Sequence, residues 1–156
     1  MKYVERVLQP GERVIYITSL HWLIYSRAIV LLVLAAGCLI GSVFVPADWG
    51  NLILALRAAG ALLALLALIH WASALIRRTS TDLAITDRRV IYKSGILRRH
   101  TIEINRSKVE TVGVDQSILG RIMGYGTVVV RGTGGSFEPI PMIGEPLTFR
   151  SHITAG

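Results

Sequence analysis

Two apolar runs separated by a turn constrain this chain more than anything else in it. Residues 28–45 read AIVLLVLAAGCLIGSVFV, 18 residues without a charge. Residues 58–76 read AAGALLALLALIHWASALI, 19 residues in which His70 is the sole titratable side chain. At the rise of an α-helix, 18 residues reach about 27 Å, close to the ~30 Å of bilayer hydrocarbon. The alternative is a buried helical pair in a soluble protein, but core helices there rarely stay apolar on every face for this long. Lipid offers the backbone no partners, so such runs must be helical. Pro46-Ala47-Asp48-Trp49-Gly50-Asn51 between them carries the residues of a tight turn. The reading is an α+β membrane protein. Residues 1–27 form a cytoplasmic or interfacial segment. Residues 28–76 form a transmembrane helical hairpin, with spans of about 28–45 and 54–76. Residues 79–156 form a small antiparallel β-domain with a short C-terminal helix.

Charge sets the expected orientation. Lys2, Arg6, Arg13 and Arg27 precede the first run, and Arg77, Arg78 and ten more basic residues follow the second. The turn between the runs carries only Asp48. Lys and Arg resist translocation, so both termini are expected in the cytoplasm, on a multi-pass protein. A cleaved leader is not expected, because the first run starts late, is long and is followed by another. The net charge is +7, and from Arg77 onward there are 12 basic and 7 acidic residues. That balance beside a membrane suits anionic headgroups. Nucleic acid is not an expected partner, since no aromatic platform or binding motif accompanies the charge. The single cysteine, Cys38, lies in the first run and has no partner for an intramolecular disulfide.

Inside the runs a few residues depart from plain Leu and Ala. Arg57 is expected to snorkel to the outer interface and His70, beside Trp71, to lie near the inner one. Neither run holds a carboxylate that would complete a proton relay. Gly37 and Gly41 form a GxxxG pair, and Gly60, Ala64 and Ala67 form a small-residue stripe on the second run. If the hairpin folds about Asp48 and Trp49, Gly37 falls level with Gly60 and Val33 with Ala64. These faces are expected to meet within one hairpin; the rival is that GxxxG joins two protomers.

Outside the runs the period changes to that of strands. Gln9-Pro10-Gly11-Glu12 is a turn, and residues 14–18 form a strand or an extended segment under the membrane. His21 reads as an interfacial polar residue, with Trp22 and Tyr25 at headgroup level. Strands are expected at 81–86, 89–93, 101–105, 109–114, 127–131 and 137–143, the last pushed to an edge by Pro139 and Pro141. Residues 117–123 read as one or two helical turns capped by Ser117 and ended by Gly124. Pro146 opens a short final helix with Phe149 and Ile153 on one face. Short strands at this spacing form an antiparallel sandwich or barrel.

No enzyme constellation emerges. His21, His70, His100 and His152 are dispersed, and no serine or cysteine sits in a nucleophile motif. Gly132-Thr133-Gly134-Gly135 lacks the Lys-Ser/Thr of a phosphate loop and reads as a hairpin loop. No cofactor, metal or small-molecule substrate is expected.

The run from Leu83 to Val90, LAITDRRV, continuing through Ser94-Gly95-Ile96-Leu97-Arg98-Arg99, resembles the bacterial pleckstrin-homology family, in particular its two-span membrane members. So do VGVDQSILGR from Val112, GYGTV from Gly124, and the N-terminal Leu8-Gln9-Pro10-Gly11-Glu12 with Leu20-His21-Trp22. The resemblance implies a seven-stranded, strongly bent sheet closed at one end by a C-terminal helix, on the bacterial cytoplasmic (inner) membrane. The final helix here is shorter than that fold usually carries. Closure then calls on the N-terminal segment, the membrane or another copy. The expected function is a non-enzymatic, membrane-anchored binding or scaffold module acting through protein partners or its own copies. The alternatives are an anionic-lipid sensor and an auxiliary subunit of a larger membrane complex or transporter. In the lipid reading Arg77, Arg78, Arg88, Arg89, Arg98 and Arg99 contact anionic headgroups, with Arg88 and Arg89 facing solvent on a charged hairpin turn.

Overall fold

The computed structural model describes residues 4–95, 100–133, 135–136 and 139–155. In chain order the elements are α1 (Val4–Val7), β1 (Val14–Thr18), α2 (Ser26–Gly41), α3 (Gly50–Ser80), β2 (Asp82–Thr86), β3 (Arg89–Ser94), β4 (His100–Asn105) and β5 (Val109–Asp115). There follow α4 (Ile118–Met123), β6 (Tyr125–Gly132), β7 (Gly135–Ser136), β8 (Ile140–Gly144) and α5 (Pro146–Thr154). The chain is thus α+β: two long apolar helices, then antiparallel sheets and a short C-terminal helix. It divides into two compact units, Trp22–Ile76 and a unit made of Met1–His21 with Arg77–Gly156.

The first of these is the helical pair. By length and composition alone, Trp22–Gly41 and Ala47–Ser80 are long and apolar enough to cross a membrane. The helices do not end where the apolar runs end. α2 stops at Gly41 rather than Val45, because the Ser42 hydroxyl donates to the Leu39 carbonyl at 2.7 Å and Pro46 bars the residue before it from helical geometry. A 3-10 turn over Ala47–Trp49 then leads into α3, whose 31 residues outrun the apolar stretch at both ends. Arg77 and Arg78 lie in its last turn, where cations suit the helix dipole.

Small residues line the inside of this pair. Ala28, Ala35 and Ser42, spaced by seven, are buried, and so are Gly60, Ala67 and Ala74, again spaced by seven. A Cβ on Gly60 would fall 2.8 Å from Leu39 Cγ and 3.2 Å from the Ala35 carbonyl oxygen, so the helices touch at that level. Large side chains point the other way: Val33, Leu34, Ile40, Leu62, Leu65 and Leu68 are all more than half exposed. Gly37 and Gly41 are not on the seam. A Cβ on either meets nothing within 4 Å. Gly60 sits against Ala35 and Leu39, the residues two before and two after Gly37, and two residues on a helix turn the side chain by roughly 200°. The expected meeting of Gly37 with Gly60 therefore fails by rotation, not by depth. Ala64 is half-buried and, with Ala28, Ile29, Leu32, Ala67, Leu68 and Trp71, lines an apolar pocket of about 460 Å³.

The other unit holds two four-stranded antiparallel sheets. The first runs β1-β2-β3-β4, and in the second β6 pairs β5 on one side and β7 and β8 on the other. Alternation puts Leu83, Ile85, Val90, Val112, Val128, Val130, Ile140 and Ile143 on inner faces, where Phe149 and Ile153 of α5 complete one core. Residues 14–18 form a strand, the first of the two forms expected for them: β1 is an edge strand, with Ile17 opposite Ala84 and Thr18 opposite Leu83. Tyr16 turns inward and stacks on His152 of α5, with ring centroids 4.5 Å apart. The N-terminal segment thus contributes to closing the end that the nine-residue α5 covers. β8 starts at Ile140, and positions 137 and 138 of the expected last strand lie outside the described residues.

Candidate functional site

The turn after β2 was expected to be a charged hairpin with its arginines in solvent. Its local geometry comes from Thr86, whose hydroxyl oxygen accepts from the Arg89 amide at 2.9 Å and the Arg88 amide at 3.3 Å. Asp87 instead reaches across to the N-terminal segment. Its carboxylate accepts from the Arg13 amide at 3.0 Å, and its own amide donates to the Arg13 carbonyl at 3.0 Å.

Arg89 does not face solvent. Its Nε and Nη2 donate to the two oxygens of Glu12 at 2.9 and 2.8 Å, its Nη2 to the Val7 carbonyl at 2.7 Å, and its Nη1 to Glu103. Glu12 is buried, and Thr86 Oγ1 donates to it at 2.7 Å. The bidentate bond to Arg89 is the main reason the Glu12 carboxyl falls from an ordinary 4.5 to about 2, against the opposing pull of burial. Arg89 in turn is held more firmly protonated, first by that same bond. A guanidinium facing two carboxylates is no phosphate clamp. It fastens the turn at Gln9–Glu12 to the sheet, and sequence reading missed it because 77 residues separate the partners.

Arg77, Arg78 and Arg88 are exposed, and Arg98 and Arg99 lie outside the described residues. Arg106, not singled out from sequence, donates from Nη2 to the His152 and Ile153 carbonyls at 2.8 and 3.2 Å, satisfying the C-terminal end of α5. Among the described residues no three His, Cys, Asp or Glu stand close enough together to hold a metal ion.

The most unusual surface is α4. Ser117 caps it, its hydroxyl accepting from the Gly120 amide at 3.0 Å, and Gly124 ends it at φ +73°. Two glycines let it lie close on the sheet. A Cβ on Gly120 would be 2.7 Å from the Tyr125 carbonyl oxygen, and one on Gly126 would be 2.7 Å from Gln116 Cγ and 2.9 Å from the Asp115 carbonyl oxygen. Gln116 Nε2 donates to the Tyr125 carbonyl at 3.0 Å and locks the same junction. What this rigid turn presents is apolar: Ile118 is 80% exposed, Leu119 65% and Ile122 74%. Beside it Asp115, Gln116, Ser117, Tyr125, Gly126, Thr127, Pro141 and Met142 line a cleft of about 410 Å³. The chain leading into α2 docks at this end of the unit. The His21 amide donates to the Met142 carbonyl at 2.6 Å, and its ring stacks on Tyr125 with centroids 5.5 Å apart.

The family described as Bacterial PH domain matches residues 17–151, most of the chain. This protein belongs to the Bacterial PH domain family. No curated protein and no solved structure matches it. The match of this Bacterial PH domain protein starts within β1, continues through both apolar helices and ends in α5, so the hairpin lies inside the matched range. Membership supports a binding or scaffold module. It also gives the QSILGR and GYG segments a physical meaning in this chain, since Gln116, Ser117, Gly120, Gly124 and Gly126 are the residues that build and seat α4.

Proposed function

We propose that this Bacterial PH domain protein is a membrane-anchored, non-catalytic binding module. Its hairpin crosses the bacterial cytoplasmic membrane twice, and its β-unit sits on the cytoplasmic side, where it receives a protein partner or its own copies. One observation carries the reading. β1 precedes the first apolar helix and β2 follows the second, yet they pair residue by residue in one sheet. Two strands of one sheet lie on one side of a bilayer, so helices that cross must cross as a pair. The seam of small residues with large apolar side chains outward supports a lipid surround. The scarcity of Lys and Arg between the helices, against their abundance on both flanks, supports the cytoplasmic assignment.

Cysteine labelling in intact cells tests it, in a Cys38→Ala background. An impermeant reagent is expected to label Ala47→Cys and to leave Ser151→Cys, on the exposed face of α5, unlabelled until the membrane is opened. Labelling of Ser151→Cys in intact cells would refute the orientation. Purification in mild detergent with mass spectrometry of what comes along then identifies the partner.

A further inference from the structure

We propose that α4 is a second contact with the bilayer, a rigid apolar turn whose Ile118, Leu119 and Ile122 enter the interfacial layer of the same leaflet that the hairpin crosses. The proposal rests on the anchoring reading above. A polar domain seldom sets three neighbouring large aliphatic side chains 80%, 65% and 74% exposed on two turns of helix. These are held out by design of the backbone, with the Ser117 cap, the left-handed Gly124 and the close seat of Gly120 leaving α4 no inward retreat. Met123, 39% exposed, extends the patch, and Arg121 on the same helix provides a cation at headgroup height.

The position of α4 selects lipid as the occupant. Tyr125, two residues past its end, carries the stacked ring of His21, and the apolar helix begins at the next residue, Trp22. The patch is therefore at the end of the β-unit from which the chain departs for the membrane. On the return, Thr81 alone separates α3 from β2. A protein partner suits the patch less well. A stable protein interface takes roughly 20–30 residues a side, whereas α4 offers six on a convex turn. A tethered surface needs little added affinity to stay docked, because its effective concentration at the bilayer is already high. Insertion to about 5–10 Å, as for other interfacial helices, would cover all three side chains.

The test uses the full chain in nanodiscs of phosphatidylcholine with phosphatidylglycerol, in a Cys38→Ala background. An environment-sensitive fluorophore is attached at Ile122→Cys or, as control, at Glu110→Cys on β5. Emission at 122 is expected to shift to the blue, to lose roughly half its intensity to a nitroxide-bearing lipid and to resist aqueous iodide, as an interfacial side chain does. Position 110 should behave in the opposite way. Ile118→Ser with Leu119→Ser should reduce the lipid quenching at 122 while leaving the melting temperature unchanged, since neither side chain is buried. Iodide access at 122 without lipid quenching overturns the proposal, and so does shielding from both quenchers, which would mean that protein covers the patch. Quenching that vanishes when phosphatidylglycerol is omitted also overturns it, because charge alone would then hold the surface. Alkaline extraction of native membranes keeps the two readings apart. A chain that resists extraction but has a wet position 122 loses only the α4 contact, and a chain that is released loses the anchor as well.

Discussion

At the scale of single residues, the Glu12–Arg89 pair is the most consequential contact in the β-unit. It is buried, bidentate and ties the N-terminal turn to two neighbouring strands. Arg89→Ala leaves the buried Glu12 charge uncompensated and is expected to destabilise the unit by about 3–5 kcal/mol, whereas Glu12→Ala leaves Arg89 its Glu103 partner and should cost less. Hydrogen exchange of the β2 and β3 amides in detergent reads that loss. The pH dependence has a definite sign. Glu12 is depressed from 4.5 to about 2 on folding, so its contribution is complete above about pH 4.5 and is lost as the pH falls towards 2. The stability difference between the native chain and Glu12→Gln should be flat above pH 4.5 and shrink below it. A difference that instead grows on acidification would show that Glu12 is not held ionised by Arg89. Gly120→Ala is expected to cost about 1–3 kcal/mol, because its methyl group would meet the Tyr125 carbonyl oxygen at 2.7 Å, backbone that cannot step aside.

At the scale of elements, Gly60 and Gly37 of the hairpin should respond differently. Gly60→Leu must push against Leu39 and the Ala35 carbonyl, so a lower melting temperature in detergent is expected. Gly37→Leu enters open space and should leave the melting temperature unchanged. If Gly37→Leu alters the copy number measured by light scattering, the GxxxG pair belongs to contacts between chains. What sequence could reveal at this scale follows from range. The α4 caps were legible because Ser117 and Gly124 act within one turn, and the strand positions because alternation is local. The rotation of α2 was not, because a run apolar on every side carries no stripe to show which face turns inward. The buried role of Arg89 was equally hidden, since Thr86-Asp87-Arg88-Arg89 reads as a solvated turn until Glu12 arrives from the other side of the hairpin.

At the scale of the whole molecule, one polypeptide serves both a helical hairpin and a sheet whose first strand lies ahead of that hairpin. This arrangement orders events at the ribosome. β1 emerges before α2, and its partner β2 only after α3, with 74 residues between Glu12 and the Thr86 hydroxyl that meets it. At about 5–20 residues per second, the wait is on the order of seconds. Through that interval the nascent chain carries an unmatched strand edge and an unpaired Glu12 while, on the proposed anchoring, the helices are being handed to the membrane. On that anchoring, insertion comes first and sheet assembly last. Two chains inserting side by side have, in that window, the means to exchange their first strands.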